Sequence, residues 1–142
     1  MSGVMFDSVN VGDRLPEHVC GPISRTVLAL YAGASGDHNP MHIDIDFARK
    51  FGMPDVFAHG MLSMAYLAQL LTRWVKQEQI VAWNVRFVSI TPVLATVVCS
   101  GEVIEKDKTL RQVKVAIKAS AIDDAEDKSA KTLIGEATIA LP

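Results

Sequence analysis

Apolar and polar positions along this chain change their period once, near the middle. After Ser24, the residues Val27, Leu30, Tyr31 and Ala34 follow an i, i+3, i+4, i+7 spacing, which lays one apolar stripe along a helix. Ser24 is a good amino-terminal cap, and Gly33 and Gly36 weaken and then end that helix. Residues 37–56 are irregular, interrupted by Pro40 and Pro54. Within them residues 46–51 have room for a turn or two of helix, capped by Asp44 or Asp46. Residues 60–77 read as a long helix. Met61, Leu62, Met64, Ala65, Leu67, Ala68, Leu70, Leu71, Trp74 and Val75 cover more than one of its faces, so it is expected to be buried and wrapped.

The second half switches to period two. Residues 80–87, 96–105, 110–122 and 132–141 read as strands. Val113, Val115, Ile117 and Ala119 alternate with Gln112, Lys114, Lys118 and Ser120, with Ala116 the exception, as in a strand with one buried face. Residues 106–108 form a short hairpin turn, and residues 123–131 a longer, charged hairpin loop. Residues 13–23 contain Pro16 and Pro22 and make at most a short edge strand. Helices followed by strands indicate an α+β fold. The expected arrangement is one long helix wrapped by a curved antiparallel sheet, with residues 1–142 as a single domain.

Composition narrows the classes. The chain is 49% hydrophobic and 21% charged, which suits a globular protein and not a disordered one. A domain of this length buries roughly 68% of its unfolded surface, enough for a core of its own. The net charge is -2 and no basic run occurs, which argues against a nucleic-acid partner. Cys20 and Cys99 lie in no metal-ligand or CxxC spacing and read as free thiols of a reducing compartment. Residues 1–7 have neither the basic nor the apolar region of a signal peptide. Residues 56–75 are apolar but carry His59, Gln69 and Arg73, so no membrane span is expected, and a cytoplasmic location is the default.

Candidate chemistry concentrates in Ser35-Gly36-Asp37-His38-Asn39-Pro40-Met41-His42 and in Ala58-His59-Gly60-Met61-Leu62. Asp37 and His42 stand five positions apart in a loop that Pro40 keeps from being a regular helix. One reading makes them a general acid–base pair, since histidine titrates near neutrality and a carboxylate at an apolar wall shifts toward it. The plainer reading makes Asp37 and Asn39 turn residues and His42 a partly exposed histidine. Gly60 opens the long helix, where free amides and the helix dipole favour negative charge and the missing side chain admits a ligand. It is a candidate oxyanion donor. The plainer alternative has Gly60 serving close packing and His59 serving as a cap.

A metal site drawn from Asp37, His38, His42, Asp44 and His59 is disfavoured. The His38–His42 spacing would suit zinc on a helix, but Pro40 breaks that helix and no thiolate joins the set. Arg86 reads as an edge salt bridge or as a phosphate contact. Ser63 has no nucleophile elbow or triad spacing around it, and no glycine-rich phosphate loop occurs.

The run Tyr31-Ala32-Gly33-Ala34-Ser35-Gly36-Asp37-His38-Asn39-Pro40-Met41-His42, with Ala58-His59-Gly60-Met61-Leu62 downstream, resembles the MaoC-like, (R)-specific enoyl-thioester hydratases and dehydratases. The likeness extends from Phe6-Asp7-Ser8-Val9-Asn10-Val11-Gly12-Asp13 through Asn84-Val85-Arg86-Phe87 to the final strand. Within the family it is greatest toward the single-domain dehydratase B subunits of mycobacterial mycolic-acid synthesis. The resemblance implies a hot dog fold and a dimer whose sheets join edge to edge. A heterodimer with a paralogue lacking the Asp–His pair is a further implied form.

The resemblance also implies Asp37 and His42 as the catalytic pair, the Gly60 amide as donor to the thioester oxygen, and Asn39 as the residue orienting the loop or a water. Ala68 stands where some relatives carry a supporting serine. The implied reaction adds or removes water across C2–C3 of a 2-enoyl or (R)-3-hydroxyacyl thioester, on CoA or an acyl carrier protein. It needs no metal or redox cofactor. Met61, Met64, Leu67 and Trp74 are candidate linings of an acyl slot, and core packing is as good an account of each. A hot dog thioesterase and a non-catalytic acyl-binding subunit are the alternatives.

Overall fold

Helix α3 (Gly60–Trp74) is the element around which the rest of the chain is laid. The computed structural model describes residues 3–142; Met1 and Ser2, which begin the stretch read as lacking a signal peptide, lie outside the described residues. The sheet consists of β1 (His18–Cys20), β2 (Ile80–Phe87), β3 (Thr96–Asp107), β4 (Gln112–Asp123) and β5 (Lys128–Ala140). Its order is β1-β3-β4-β5-β2 with every neighbouring pair antiparallel, so β1 and β2 form the two edges.

The inner face of the sheet carries Val97, Cys99, Val103, Val113, Val115, Ile117 and Ala119, all buried against Leu62, Leu67, Leu70 and Leu71 of α3. The expected alternation in β4 holds, with Ala116 on the outer side. The sheet does not enclose α3 on every side. Met61, Ala65, Gln69, Thr72 and Arg73 repeat at near helical spacing and stay exposed, because most of that stripe is polar or charged. Among the described residues no helix is long and apolar enough to cross a membrane.

Caps decide where the helices sit. Ser24 Oγ accepts from the Val27 amide at the start of α1 (Arg25–Ser35), and Gly36, at φ 76°, ends it in the left-handed region. Asp44, and not Asp46, caps α2 (Ile45–Lys50), accepting from the amides of Asp46 and Phe47. Helix α3 ends at Trp74, three residues before the expected point. Val75 turns extended and buries its side chain, and residues 77–79 form a separate 3-10 turn.

The hairpins are longer than the apolar pattern suggests. Strand β5 begins at Lys128 and not at 132, because Asp123 still pairs with Lys128 beyond the last apolar positions. The β3–β4 turn occupies residues 108–111 and not 106–108. Asp107 Oδ1 accepts from the Thr109 and Leu110 amides there. Lys106 is thereby a strand residue, and its ammonium reaches the carbonyls of Phe6 and Val9.

Candidate active site

The loop after α1 is held by its own polar side chains. Asp37 Oδ1 accepts from the Asn39 amide at 3.2 Å, and Asn39 Oδ1 accepts from the Met41 amide at 3.0 Å. Asn39 thus caps the 3-10 turn Pro40–His42, whose first position suits proline. The loop is laced to the segment before α3 by three bonds. The Phe57 amide donates to the Met41 carbonyl (3.4 Å), His42 Nδ1–H donates to the Phe57 carbonyl (2.7 Å), and His59 Nε2–H donates to the Asp37 carbonyl (3.1 Å).

Those bonds assign the tautomers, because a carbonyl only accepts. In neutral His42 the lone pair is on Nε2, which lies 4.0 Å from Asp37 Oδ2. That separation is too long for a hydrogen bond, yet one oxygen fits about 2.8 Å from both acceptors. A water seated there would donate both protons and leave a lone pair free. The His42 side chain is 11% exposed and Asp37 49%, so solvent enters from the carboxylate side.

His59 is 1% exposed and stacks on His42, with ring centroids 4.0 Å apart and planes at 26°. Tyr31 meets His59 in a T-shaped contact at 4.8 Å, and Phe57 meets His42 in another at 5.0 Å, so each imidazole touches a further aromatic ring. Burial pushes the His59 pKa below its ordinary value, and His42 adds to the effect while Asp37 opposes it. The Tyr31 phenol is pushed up, first by burial and then by the Asp37 charge. His59 Nδ1 is buried without a hydrogen-bond partner. Such an orphan costs on the order of 1–3 kcal/mol.

Gly60 is the first residue of α3, and its amide has no partner among the described residues. The Phe87 ring packs directly over it, so that a β-carbon at Gly60 would lie 2.9 Å from Phe87 Cε1. Beside them opens a cavity of about 390 Å³, lined by Phe57, Gly60, Phe87, Val88, Ile90 and Thr91. Ser63, one turn into α3, is fully buried with its hydroxyl 3.3 Å from that of Thr91. It is the serine of this helix start, whereas Ala68 lies about one and a half turns further along.

The remaining sequence candidates fall elsewhere. Asp44 is occupied as the cap of α2, and His38 is exposed outside the cluster. Asp37, His42 and His59 do bring ligand atoms within 4.8 Å of one another. The two imidazoles are near-parallel, however, so their free nitrogens point side by side and do not converge on one ion. Arg86 is exposed on β2 and points to the sheet's outer face, opposite Phe87. Leu67 is fully buried in the core, and Met61 is 55% exposed. Trp74 lies at the other end of α3, about 21 Å from Gly60 at the helical rise. Sequence reasoning treated His59 as a cap; it makes no capping bond.

The chain belongs to the MaoC-like family: the domain described as MaoC like matches residues 9–125. Over 86 residues it is 40% identical to 3-hydroxyacyl-thioester dehydratase X of Mycobacterium tuberculosis, covering 60% of this chain and 29% of that protein. The chain therefore spans less than a third of that relative's length. The unliganded structure of R-hydratase PhaJ1 from Pseudomonas aeruginosa is 26% identical with a TM-score of 0.82, covering 99% of this chain and 86% of that one. A solved MaoC-like dehydratase is 31% identical with a TM-score of 0.85, covering 97% and 42%. The shared architecture is the hot dog fold, as the sequence resemblance implied.

Proposed function

We propose that this chain, as one hot dog domain, is an (R)-specific 2-enoyl-thioester hydratase and, in reverse, a (3R)-hydroxyacyl-thioester dehydratase. The observation that carries the reading is the water-sized 4.0 Å gap between Asp37 Oδ2 and His42 Nε2, on the loop laced to the segment that ends in the free Gly60 amide. In hydration, the water oxygen adds to C3 while Asp37 takes one of its protons. The electron pair of the C2–C3 double bond moves toward the thioester oxygen, and the Gly60 N–H stabilises the enolate charge there. The proton that Asp37 took then passes through His42 Nε2 to C2, which returns both groups to their starting state. The thioester carbonyl is itself the electron sink, so the reading calls for no metal or redox cofactor.

The cavity beside Gly60 is apolar enough to seat the start of the acyl chain. Exposed Arg86 is the candidate contact for the phosphates of CoA or of an acyl carrier protein. Strand β2 is an unpaired edge with Phe87, Val88 and Ile90 about half exposed near its end. These features support a homodimer joined along β2, and equally a heterodimer with a non-catalytic paralogue. The free thiols Cys20 and Cys99 support a cytoplasmic setting.

The test is hydration of trans-2-enoyl thioesters of graded length, on CoA and on acyl carrier protein, with wild type, Asp37→Asn and His42→Ala. Each substitution lowers turnover about 10²–10⁴-fold with the fold intact. Near-normal turnover in either variant removes that residue from the mechanism. Release of free thiol from a saturated acyl-CoA would select a thioesterase instead.

A further inference from the structure

We infer that His59 is the positioning residue of the Asp37–His42 pair, holding the backbone of one and the ring of the other from a single buried imidazole. The inference rests on the reaction proposed above and deepens it. His59 donates Nε2–H to the Asp37 carbonyl and lays its face on His42 at 4.0 Å. Tyr31, from α1, also contacts it, in a T-shaped arrangement at 4.8 Å. The groups facing His59 are thus the Asp37 carboxylate and His42 from the loop, and the Tyr31 phenol from α1.

Two plainer accounts of His59 fail on the same geometry. Capping does not explain it, because the side chain makes no bond to the first amides of α3. Packing does not explain it, because an apolar ring would fill the space without leaving Nδ1 buried and unpaired. An imidazole supplies both the donor that reaches Asp37 and the flat face that supports His42. Glutamine offers the first alone, and phenylalanine the second alone.

The arrangement also fixes the charge of His59. A proton on Nδ1 would have no acceptor and would place a positive ring against His42. His59 therefore stays neutral, and His42 carries the reacting proton without a competing cation beneath it.

The experiment compares wild type, His59→Gln and His59→Phe with Asp37→Asn and His42→Ala in steady-state hydration of a trans-2-enoyl-CoA. Melting curves and 15N imidazole spectra of wild type accompany the kinetics. Loss of either support displaces a reacting group, so both His59 variants should lose about 10²-fold in kcat with KM little changed. The wild-type spectrum should show His59 neutral, with Nε2 protonated, at pH values just below the ordinary imidazole value of 6.5. Normal kcat in His59→Gln and His59→Phe, with Asp37→Asn and His42→Ala inactive, overturns this inference and leaves the reaction standing. Normal kcat in Asp37→Asn and His42→Ala overturns the reaction itself. Should His59→Phe not fold, His59→Gln and the spectrum decide: a charged His59, or one protonated on Nδ1, refutes the assignment.

Discussion

Replacing Gly60 by alanine separates catalysis from stability more cleanly than any change to the acidic or imidazole groups. Gly60 does not occupy the left-handed region, so the backbone accepts alanine without strain. At a helix position alanine is favoured by up to about 1 kcal/mol. Against this stands the added β-carbon, 2.9 Å from Phe87 Cε1 and 3.0 Å from Cδ1. Phe87 is half exposed and its ring can swing outward, so the clash is relieved by motion of one side chain. The two effects nearly cancel in the folding free energy.

They do not cancel in the reaction. The displaced ring and the new methyl group occupy the space through which the thioester oxygen reaches the amide. Removing one such donor costs about 10²–10³ in rate, or about 2.7–4 kcal/mol. The assay is hydration of a trans-2-enoyl-CoA followed by loss of enoyl absorbance, beside a urea titration of the same sample. The expected result is a hundredfold or greater fall in kcat/KM (about 10² as the lower bound) with an unchanged urea midpoint. Phe87→Ala in the alanine background should restore part of the rate by relieving the crowding. A Gly60→Ala variant with undiminished kcat/KM would refute the oxyanion assignment.

Other outcomes test the framework around the site. The pKa of His59 is lowered from 6.5 in the folded state, so the unfolded chain takes up that proton first. Its contribution to stability is complete above pH 6.5 and is lost as pH falls toward the folded value; urea midpoints across this window should decline, and less steeply in His59→Phe. Lys106→Ala leaves the Phe6 and Val9 carbonyls without their ammonium donor and removes the cation from the Phe6 ring, which should cost about 1–3 kcal/mol in thermal unfolding. Gly135→Ala would set a β-carbon 1.9 Å from the Asn84 carbonyl oxygen, which is backbone and cannot step aside. It should destabilise by about 3 kcal/mol or more, and an unchanged denaturant midpoint would contradict the β2–β5 packing.

The elements were legible wherever a period or a cap marks them. Ser24, Gly36, the apolar run of α3 and the alternation of β4 each locate their element, because these features act through neighbours in sequence. The ends of β5 and β3 were not legible, since Asp123, Lys128 and Lys106 extend the ladders with polar residues. At the site, Asp37, Asn39 and His42 share one short loop and could be read together. The role of His59 could not, because its burial depends on the docking of residues 57–59 onto the loop, which no local period encodes. Arg86 was ambiguous for a related reason: strand parity relative to Phe87 decides its face, and only the packing of Phe87 on Gly60 fixes that parity.

The strand that roofs the Gly60 amide is also the open margin of the sheet. Whatever lies along that margin presses on Phe87 and sets the room left above the amide. In the homodimer proposed along β2, self-association and turnover would share one piece of backbone, and dilution would change the rate per molecule without touching an acidic or basic group.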